Sequence, residues 1–74
     1  MASDKIILGL DPGTNIMGFG VISNKNQNLK VLQYGVIKMS KEKSHLKKLK
    51  IIFNTVNNLI NEFKPHDISI ESPF

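Results

Sequence analysis

The chain has 74 residues, of which 41% are hydrophobic and 22% are charged, so it offers one small globular domain at most. Its formal net charge is +4, and all ten cationic side chains are lysines. The absence of cysteine excludes a disulfide scaffold and a thiolate zinc site. No apolar run approaches the length of a membrane span, and no secretory signal pattern opens the chain. We therefore expect a cytoplasmic folded domain, or a piece of one, that does not contact a membrane.

Three extended segments open the chain. Residues 5–10 form a short apolar run followed by turn residues, which predicts a buried strand. Residues 18–23 predict a second strand, 24–28 a hairpin turn, and 29–39 a long third strand that bends near Gly35. Strands in this succession most simply form an antiparallel meander.

The period then changes to that of a helix. Apolar residues recur at steps of three, three and one, which predicts one face of an amphipathic helix. These residues are Leu46, Leu49, Ile52, Phe53, Val56, Leu59, Ile60 and Phe63. Ser44 is the expected N-cap, and Pro65 is expected to end the helix. We expect Lys47, Lys48 and Lys50 to project away from the apolar stripe.

A short fourth strand is predicted at residues 67–71, which gives the order β-β-β-α-β. A helical crossover favours parallel pairing with a strand of the same sheet through a right-handed connection. The predicted class is therefore α/β with a mixed sheet. One helix covers only one face of such a sheet, so we expect a bare second face. From this we predict that residues 1–74 are the N-terminal portion of a single, incomplete domain.

Two carboxylates each follow an apolar strand. Asp11 ends the first strand and Glu71 ends the fourth, so parallel pairing would place both at one edge of the sheet, where open α/β sheets hold their active sites. Paired carboxylates repel unless a cation lies between them, and Mg²⁺ prefers such oxygen ligands. Two ions about 3.5–4 Å apart can clamp both oxygens of a phosphodiester displacement. Each acid alone can instead begin a turn or cap a strand edge.

The turn after Asp11 contains Pro12, which fixes one backbone angle, and Gly13, which permits a positive φ, so we expect it to be tight and rigid. Thr14 and Asn15 can donate hydrogen bonds to a phosphate or simply cap the turn. With Gly18 and Gly20, the backbone here can approach a phosphate closely.

Six of the ten lysines lie between Lys38 and Lys50. Such a cluster is either an electrostatic footprint for phosphates or a solvated helix face. Arginine is absent, so contacts to nucleic acid would favour the backbone over the bases. The candidate DNA contacts are Lys41, Lys43 and Lys47. We interpret His45 and His66 as surface residues.

The segments ILGLDPGTNIMGFGVI, GVI at 35–37 and KPHDISIESPF, with the lysine-rich helix between them, resemble the RuvC family of Holliday junction resolvases over the whole chain. The resemblance implies an RNase H-like fold and a Mg²⁺-dependent endonuclease, with Mn²⁺ as a substitute ion. It implies a homodimer acting on four-way DNA junctions in recombination and repair, with branch-migration proteins as further partners.

The resemblance also makes Asp11 and Glu71 the first two catalytic acids and metal ligands. The family pattern has two further acids near the end of a longer chain. This chain would therefore carry half of an acidic site for two ions, and we expect it to be inactive alone.

Two other enzyme classes share features of the sequence. Actin, hexokinase and heat-shock-chaperone ATPases open with a similar strand, turn and meander, and there the Asp11–Thr14 turn would hold nucleotide phosphates. That interpretation leaves Glu71 without an evident role. YqgF-type nucleases share the DPGT turn but match the helix and the last strand less closely. A non-catalytic interaction fragment is the third alternative.

Overall fold

A computed structural model of the chain describes residues 4–13 and 15–71. It contains β1 (Lys5–Asp11), β2 (Ile16–Lys25), β3 (Asn28–Lys38), α1 (His45–Phe63) and β4 (Asp67–Ile70). The predicted β-β-β-α-β order is confirmed. The three opening strands differ from their predicted bounds by one or two residues at most ends, as expected where turn and strand residues meet.

The four strands form one mixed sheet in the order β3-β2-β1-β4. β1 pairs antiparallel with β2, and β2 pairs antiparallel with β3, as the meander predicted. β1 also pairs parallel with β4, so that Leu8 lies opposite Ile68 and Leu10 lies opposite Ile70. The helix therefore serves as the crossover that returns the chain to the first strand.

The hairpin between β2 and β3 has a two-residue loop. Asn26 and Gln27 have φ angles of 51° and 66°, the positive pair that matches the twist of a tight hairpin. The irregularity of β3 lies three residues before Gly35. Val21 pairs with Gln33 and Ile22 with Val31, so the extra residue that can bend the strand is Leu32, whereas Gly35 stays in register with Phe19. A Cβ on Gly35 would come within 3.1 Å of the Phe19 ring, so this glycine makes room for the ring instead of bending the strand.

The core lies between α1 and one face of the sheet. Leu8, Val21 and Met39 are 1%, 0% and 2% exposed, and Leu59 of α1 packs onto them. Burying an apolar side chain of this kind contributes about 1.5–3 kcal/mol to folding. This side of the sheet therefore supplies most of the stability of the described residues.

Both ends of α1 follow the sequence signals. The Ser44 hydroxyl accepts a hydrogen bond from the Lys47 backbone N–H at 3.3 Å, which satisfies one of the free donors of the first turn. At the other end Lys64 adopts the left-handed conformation, and its N–H donates to the Ile60 carbonyl at 2.8 Å. Pro65 follows, so the predicted stop is confirmed.

The predicted apolar stripe of α1 is only partly used. Five of its eight residues contact the core, namely Ile52, Val56, Leu59, Ile60 and Phe63, whereas the other three face outward. Leu46, Leu49 and Phe53 are 76%, 62% and 69% exposed. The predicted stripe is therefore wider than the contact that α1 makes with the sheet. Within the described ranges, no helix is long and apolar enough to span a membrane.

Candidate functional site

Asp11 and Glu71 lie side by side at one edge of the sheet. Asp11 is the last residue of β1, and Glu71 directly follows β4. The parallel pairing continues one residue past Ile70, since the Glu71 N–H donates to the Leu10 carbonyl at 2.9 Å. Neighbouring strands lie roughly 5 Å apart, so the register brings the two acids next to each other.

Both acids face away from α1. Side chains alternate along a strand, so Asp11 shares a face with Gly9, and Glu71 shares that face with Ser69. These four residues line one open cleft of about 670 Å³ on the uncovered side of the sheet. Both carboxylates are exposed there, within reach of a large ligand.

Glycines form the floor of this cleft. Gly9, Gly18 and Gly20 line it beside the acids, and a Cβ on Gly20 would meet nothing within 4 Å. A Cβ on Gly18 would lie 3.7 Å from the Asp11 Cβ. The backbone of β1 and β2 is therefore open to close approach next to the carboxylates, as the sequence predicted for Gly18 and Gly20.

The carboxylate oxygens of the cleft are ligands of the kind that a hard cation prefers, but they are few. Among the described residues that line it, Asp11 and Glu71 are the only charged ones, so their negative charge is not offset locally. Hard divalent cations take such carboxylate oxygens together with water and substrate oxygens. Within 4–13 and 15–71, no group of three or more histidines and acids lies close enough to hold a metal ion. The described residues thus bring two carboxylates together at this edge, and their role as metal ligands stays a prediction.

The turn between β1 and β2 is held closely against its surroundings. A Cβ on Gly13 would collide with the Ile16 carbonyl oxygen, which explains the glycine. Gly13 does not use the positive φ that a glycine permits, since no glycine of the described ranges has one. The Asn15 carbonyl accepts from the Met39 N–H at 2.6 Å, and its side-chain oxygen accepts from the Lys48 ammonium at 3.4 Å. Thr14 lies outside the described residues.

The candidate DNA contacts Lys41, Lys43 and Lys47 are exposed and do not line the cleft that holds the acids. Lys41 borders a separate cleft of about 460 Å³ together with Lys38 and Glu42. Their role as DNA contacts stays a prediction. The expectation for Lys48 is wrong: it is partly buried and points to the turn at Asn15. Lys48 lies one turn before Ile52 on the core-facing side of α1. Its position was not evident from the sequence because lysines surround it.

His66 has a structural part that sequence reasoning missed. Its ring Nδ1 accepts a hydrogen bond from the Ile6 backbone N–H at 3.0 Å, and the His66 backbone N–H donates to the Ile6 carbonyl at 2.8 Å. A Lys5–Asp67 ion pair of 3.4 Å lies beside it, half exposed and worth at most about 1 kcal/mol. Together these contacts fix where β4 begins along β1. No local signal reveals them, because His66 and Ile6 are 60 residues apart.

A family model described as Crossover junction endodeoxyribonuclease RuvC matches residues 7–74. The chain is 49% identical over 71 residues to the crossover junction endodeoxyribonuclease RuvC of Cytophaga hutchinsonii, which covers 96% of this chain and 36% of the relative. It is 46% identical over 74 residues to that of Christiangramia forsetii, which covers 100% of this chain and 38% of the relative. The chain thus spans less than half the length of these curated relatives.

Solved structures from two kinds of protein share the fold. Thermus thermophilus RuvC in complex with a Holliday junction substrate has a TM-score of 0.83 and 23% identity, over 93% of this chain and 44% of that chain. The Aquifex aeolicus PPX-GPPA enzyme has a TM-score of 0.74 and 17% identity, over 92% of this chain and 26% of that one. These likenesses confirm the RNase H-like sheet, but a shared fold does not select a reaction. The sequence matches do distinguish the two, and they show that the chain belongs to the crossover junction endodeoxyribonuclease RuvC family.

Proposed function

We propose that this chain is the N-terminal portion of a Mg²⁺-dependent endonuclease that resolves four-way DNA junctions in recombination and repair. The observation that carries the proposal is the adjacent pair of exposed carboxylates at the parallel ends of β1 and β4. In this family, a pair so placed suits phosphodiester hydrolysis, because the developing charge lies on phosphate oxygens that a carboxylate-bound cation can neutralise.

Asp11 and Glu71 are the residues that would hold the metal. Bound Mg²⁺, or Mn²⁺ in its place, would stabilise charge on the phosphate and lower the pKa of a water molecule. Two ions in a complete site need more ligands than two carboxylates. The further ligands would come from the rest of a longer protein, so we expect the 74-residue chain alone not to cleave DNA.

The other residues of this edge would position the substrate. The glycine floor of the cleft lets a sugar-phosphate backbone approach the strand ends. Thr14 and Asn15 of the turn, and Lys41, Lys43 and Lys47 near the start of α1, are the proposed contacts to backbone phosphates.

The proposed substrate also bears on assembly and location. A four-way junction has two opposed strands to cut, which suits two copies of one chain related by two-fold symmetry. We accordingly propose a homodimer that works with branch-migration proteins. Its place is the compartment that holds the DNA, which in bacteria is the cytoplasm.

An ATPase or sugar-kinase-like reaction is the second candidate, favoured by the open, glycine-lined backbone beside Asp11. There the Asp11–Thr14 turn would hold nucleotide phosphates. Glu71 distinguishes the two proposals: the nuclease uses it as a ligand, whereas the nucleotide site leaves it without a role.

The experiment uses the protein translated through to its natural stop codon. A labelled four-way DNA junction is incubated with it and Mg²⁺, and ATP hydrolysis is measured in parallel. We expect paired, symmetric nicks that disappear on adding a chelator. ATP turnover with an intact junction would contradict the nuclease and support the nucleotide site.

A further inference from the structure

Lys48 differs from the other lysines of the chain. All ten lie in the described residues, and Lys48 alone is partly buried, whereas the other nine are exposed. Its side chain lines a cleft together with the apolar residues Met39 and Ile52, while its hydrogen bond to Asn15 is exposed to solvent. This lysine therefore occupies a particular position, unlike a freely solvated side chain.

The position is next to the turn that follows Asp11. The Lys48 ammonium donates to the Asn15 side-chain oxygen at 3.4 Å and so connects the first turn of α1 to the turn between β1 and β2. The Asn15 carbonyl is in turn fixed by the Met39 N–H. One side of this turn bears Asp11 and the open cleft, and the other side bears Lys48.

Lys48 lines a small cleft of about 140 Å³ that also contains Gly13 and His45. No carboxylate is among the described residues that line it. A lysine ammonium has three N–H donors, and one of them is directed to Asn15. Asn15 does not line the cleft but lies beside it through this bond, and its amide adds two N–H donors. The side chains of Lys48 and Asn15 thus offer N–H donors and a positive charge with no lining carboxylate beside them, which suits a ligand with acceptor oxygens and a negative charge.

We propose that this cleft binds a backbone phosphate of the DNA, with Lys48 as the charged contact and Asn15 as its partner. This inference rests on the proposed nuclease function. A phosphate bound there would anchor the DNA strand on the α1 side of the turn. The ends of β1 and β4, with Asp11 and Glu71, would face the phosphodiester that is cleaved. Lys48 is then a charged phosphate contact at this turn, in addition to the proposed contacts Lys41, Lys43 and Lys47.

A purely structural clamp between α1 and the turn predicts a different outcome. In that case Lys48 would affect folding stability without affecting how binding depends on salt. A phosphate contact affects that dependence, because each contact releases bound counterions from the DNA. The salt slope of junction binding therefore separates the two roles.

The test measures equilibrium binding of a labelled four-way junction by the protein translated to its natural stop, with EDTA present to prevent cleavage. Wild type, Lys48→Gln, Lys48→Arg and Lys30→Gln are compared over a series of salt concentrations. Lys30 is the matched control, because it is exposed on β3 near the opposite end of the sheet. We expect Lys48→Gln to reduce the slope of log K against log salt by about 0.9 for each phosphate that the variant no longer neutralises, with Lys48→Arg and Lys30→Gln like wild type. An unchanged slope in Lys48→Gln would overturn the proposal.

A second measurement needs no variant and no junction. Amide NMR signals of the wild-type protein are followed during titration with a 5′-phosphorylated thymidine trinucleotide. Signals of Asn15 and Lys48 should shift, while that of Lys30 should not. If neither Asn15 nor Lys48 responds, the phosphate site is wrong. If these signals shift but the four-way junction of the cleavage experiment stays uncut, the nuclease proposal fails and the phosphate site stands.

Discussion

The two faces of the sheet differ in what they bury and in what they present. Toward α1, the side chains of Leu8 and Val21 are almost fully buried and belong to the hydrophobic core. On the other face Tyr34 is 80% exposed and Val36 is 56% exposed, and both line the cleft that holds the two carboxylates. The expectation of a bare second face is thus confirmed for the described residues.

The difference indicates that the two faces of the sheet have separate roles. The covered face provides the free energy of folding through apolar burial, which depends on side-chain volume and packing. The open face provides carboxylates, glycines and apolar side chains that contribute little to folding while they are solvated. Because alternate residues of the same strands point to opposite faces, β1 serves both purposes through Leu10 and Asp11.

The largest effect should follow from removing a carboxylate on the open face. In the protein translated to its stop, Asp11→Asn or Glu71→Gln should lower kcat for junction cleavage by at least about a thousandfold, because each removes a metal ligand. Junction binding should change little, as measured with a labelled junction in EDTA. A parallel loss of binding and cleavage would assign Asp11 a structural role instead.

A pair of core and surface substitutions compares the faces directly in terms of stability. Leu8→Ala should lower the free energy of unfolding by about 2–5 kcal/mol, since it leaves a cavity between β1 and α1. Tyr34→Ala on the open face should change it by no more than about 0.5 kcal/mol. Urea denaturation followed by circular dichroism measures both. Equal losses would mean that the open face is covered in solution.

The smallest effect on stability is expected at the start of β4, where His66 contacts β1. His66→Ala should cost about 1 kcal/mol of unfolding free energy, because the Ile6 N–H loses its ring acceptor. His66→Asn should recover part of this loss, since its side-chain oxygen can accept from the same N–H. Thermal unfolding of the two variants provides the comparison. If both variants match wild type, His66 does not fix the start of β4.

Local patterns predicted most of the fold. Apolar runs between turn residues located the strands, and the change to the helix period, Ser44 at the N-cap and Pro65 after the helix located α1. The side of α1 that contacts the sheet was not predictable in this way, because the stripe from Leu46 to Phe63 is wider than the contact it makes. The placement of Lys48 was missed because its partner Asn15 is 33 residues away in the sequence.

The acidic pair was predictable because it depends on topology alone. A crossover helix makes β1 and β4 parallel neighbours, and each strand ends in an acid, so Asp11 and Glu71 must meet at one edge. The reason for Gly13 was not predictable: a glycine in a turn suggests a positive φ, whereas here it avoids the Ile16 carbonyl. Contacts between a turn and the strand that follows it have no sequence signature.

The most direct test of the proposed site asks whether Asp11 and Glu71 hold the same metal ion. Mn²⁺ is titrated into the isotopically labelled protein, translated to its stop, and paramagnetic broadening of the amide NMR signals is recorded. We predict that the signals of Gly9, Asp11, Ser69 and Glu71 broaden together at the lowest Mn²⁺ concentrations, and that Asp11→Asn abolishes the broadening at Ser69 and Glu71. Early broadening around another acid such as Glu62, or undiminished broadening at Glu71 in the variant, would contradict a shared metal site.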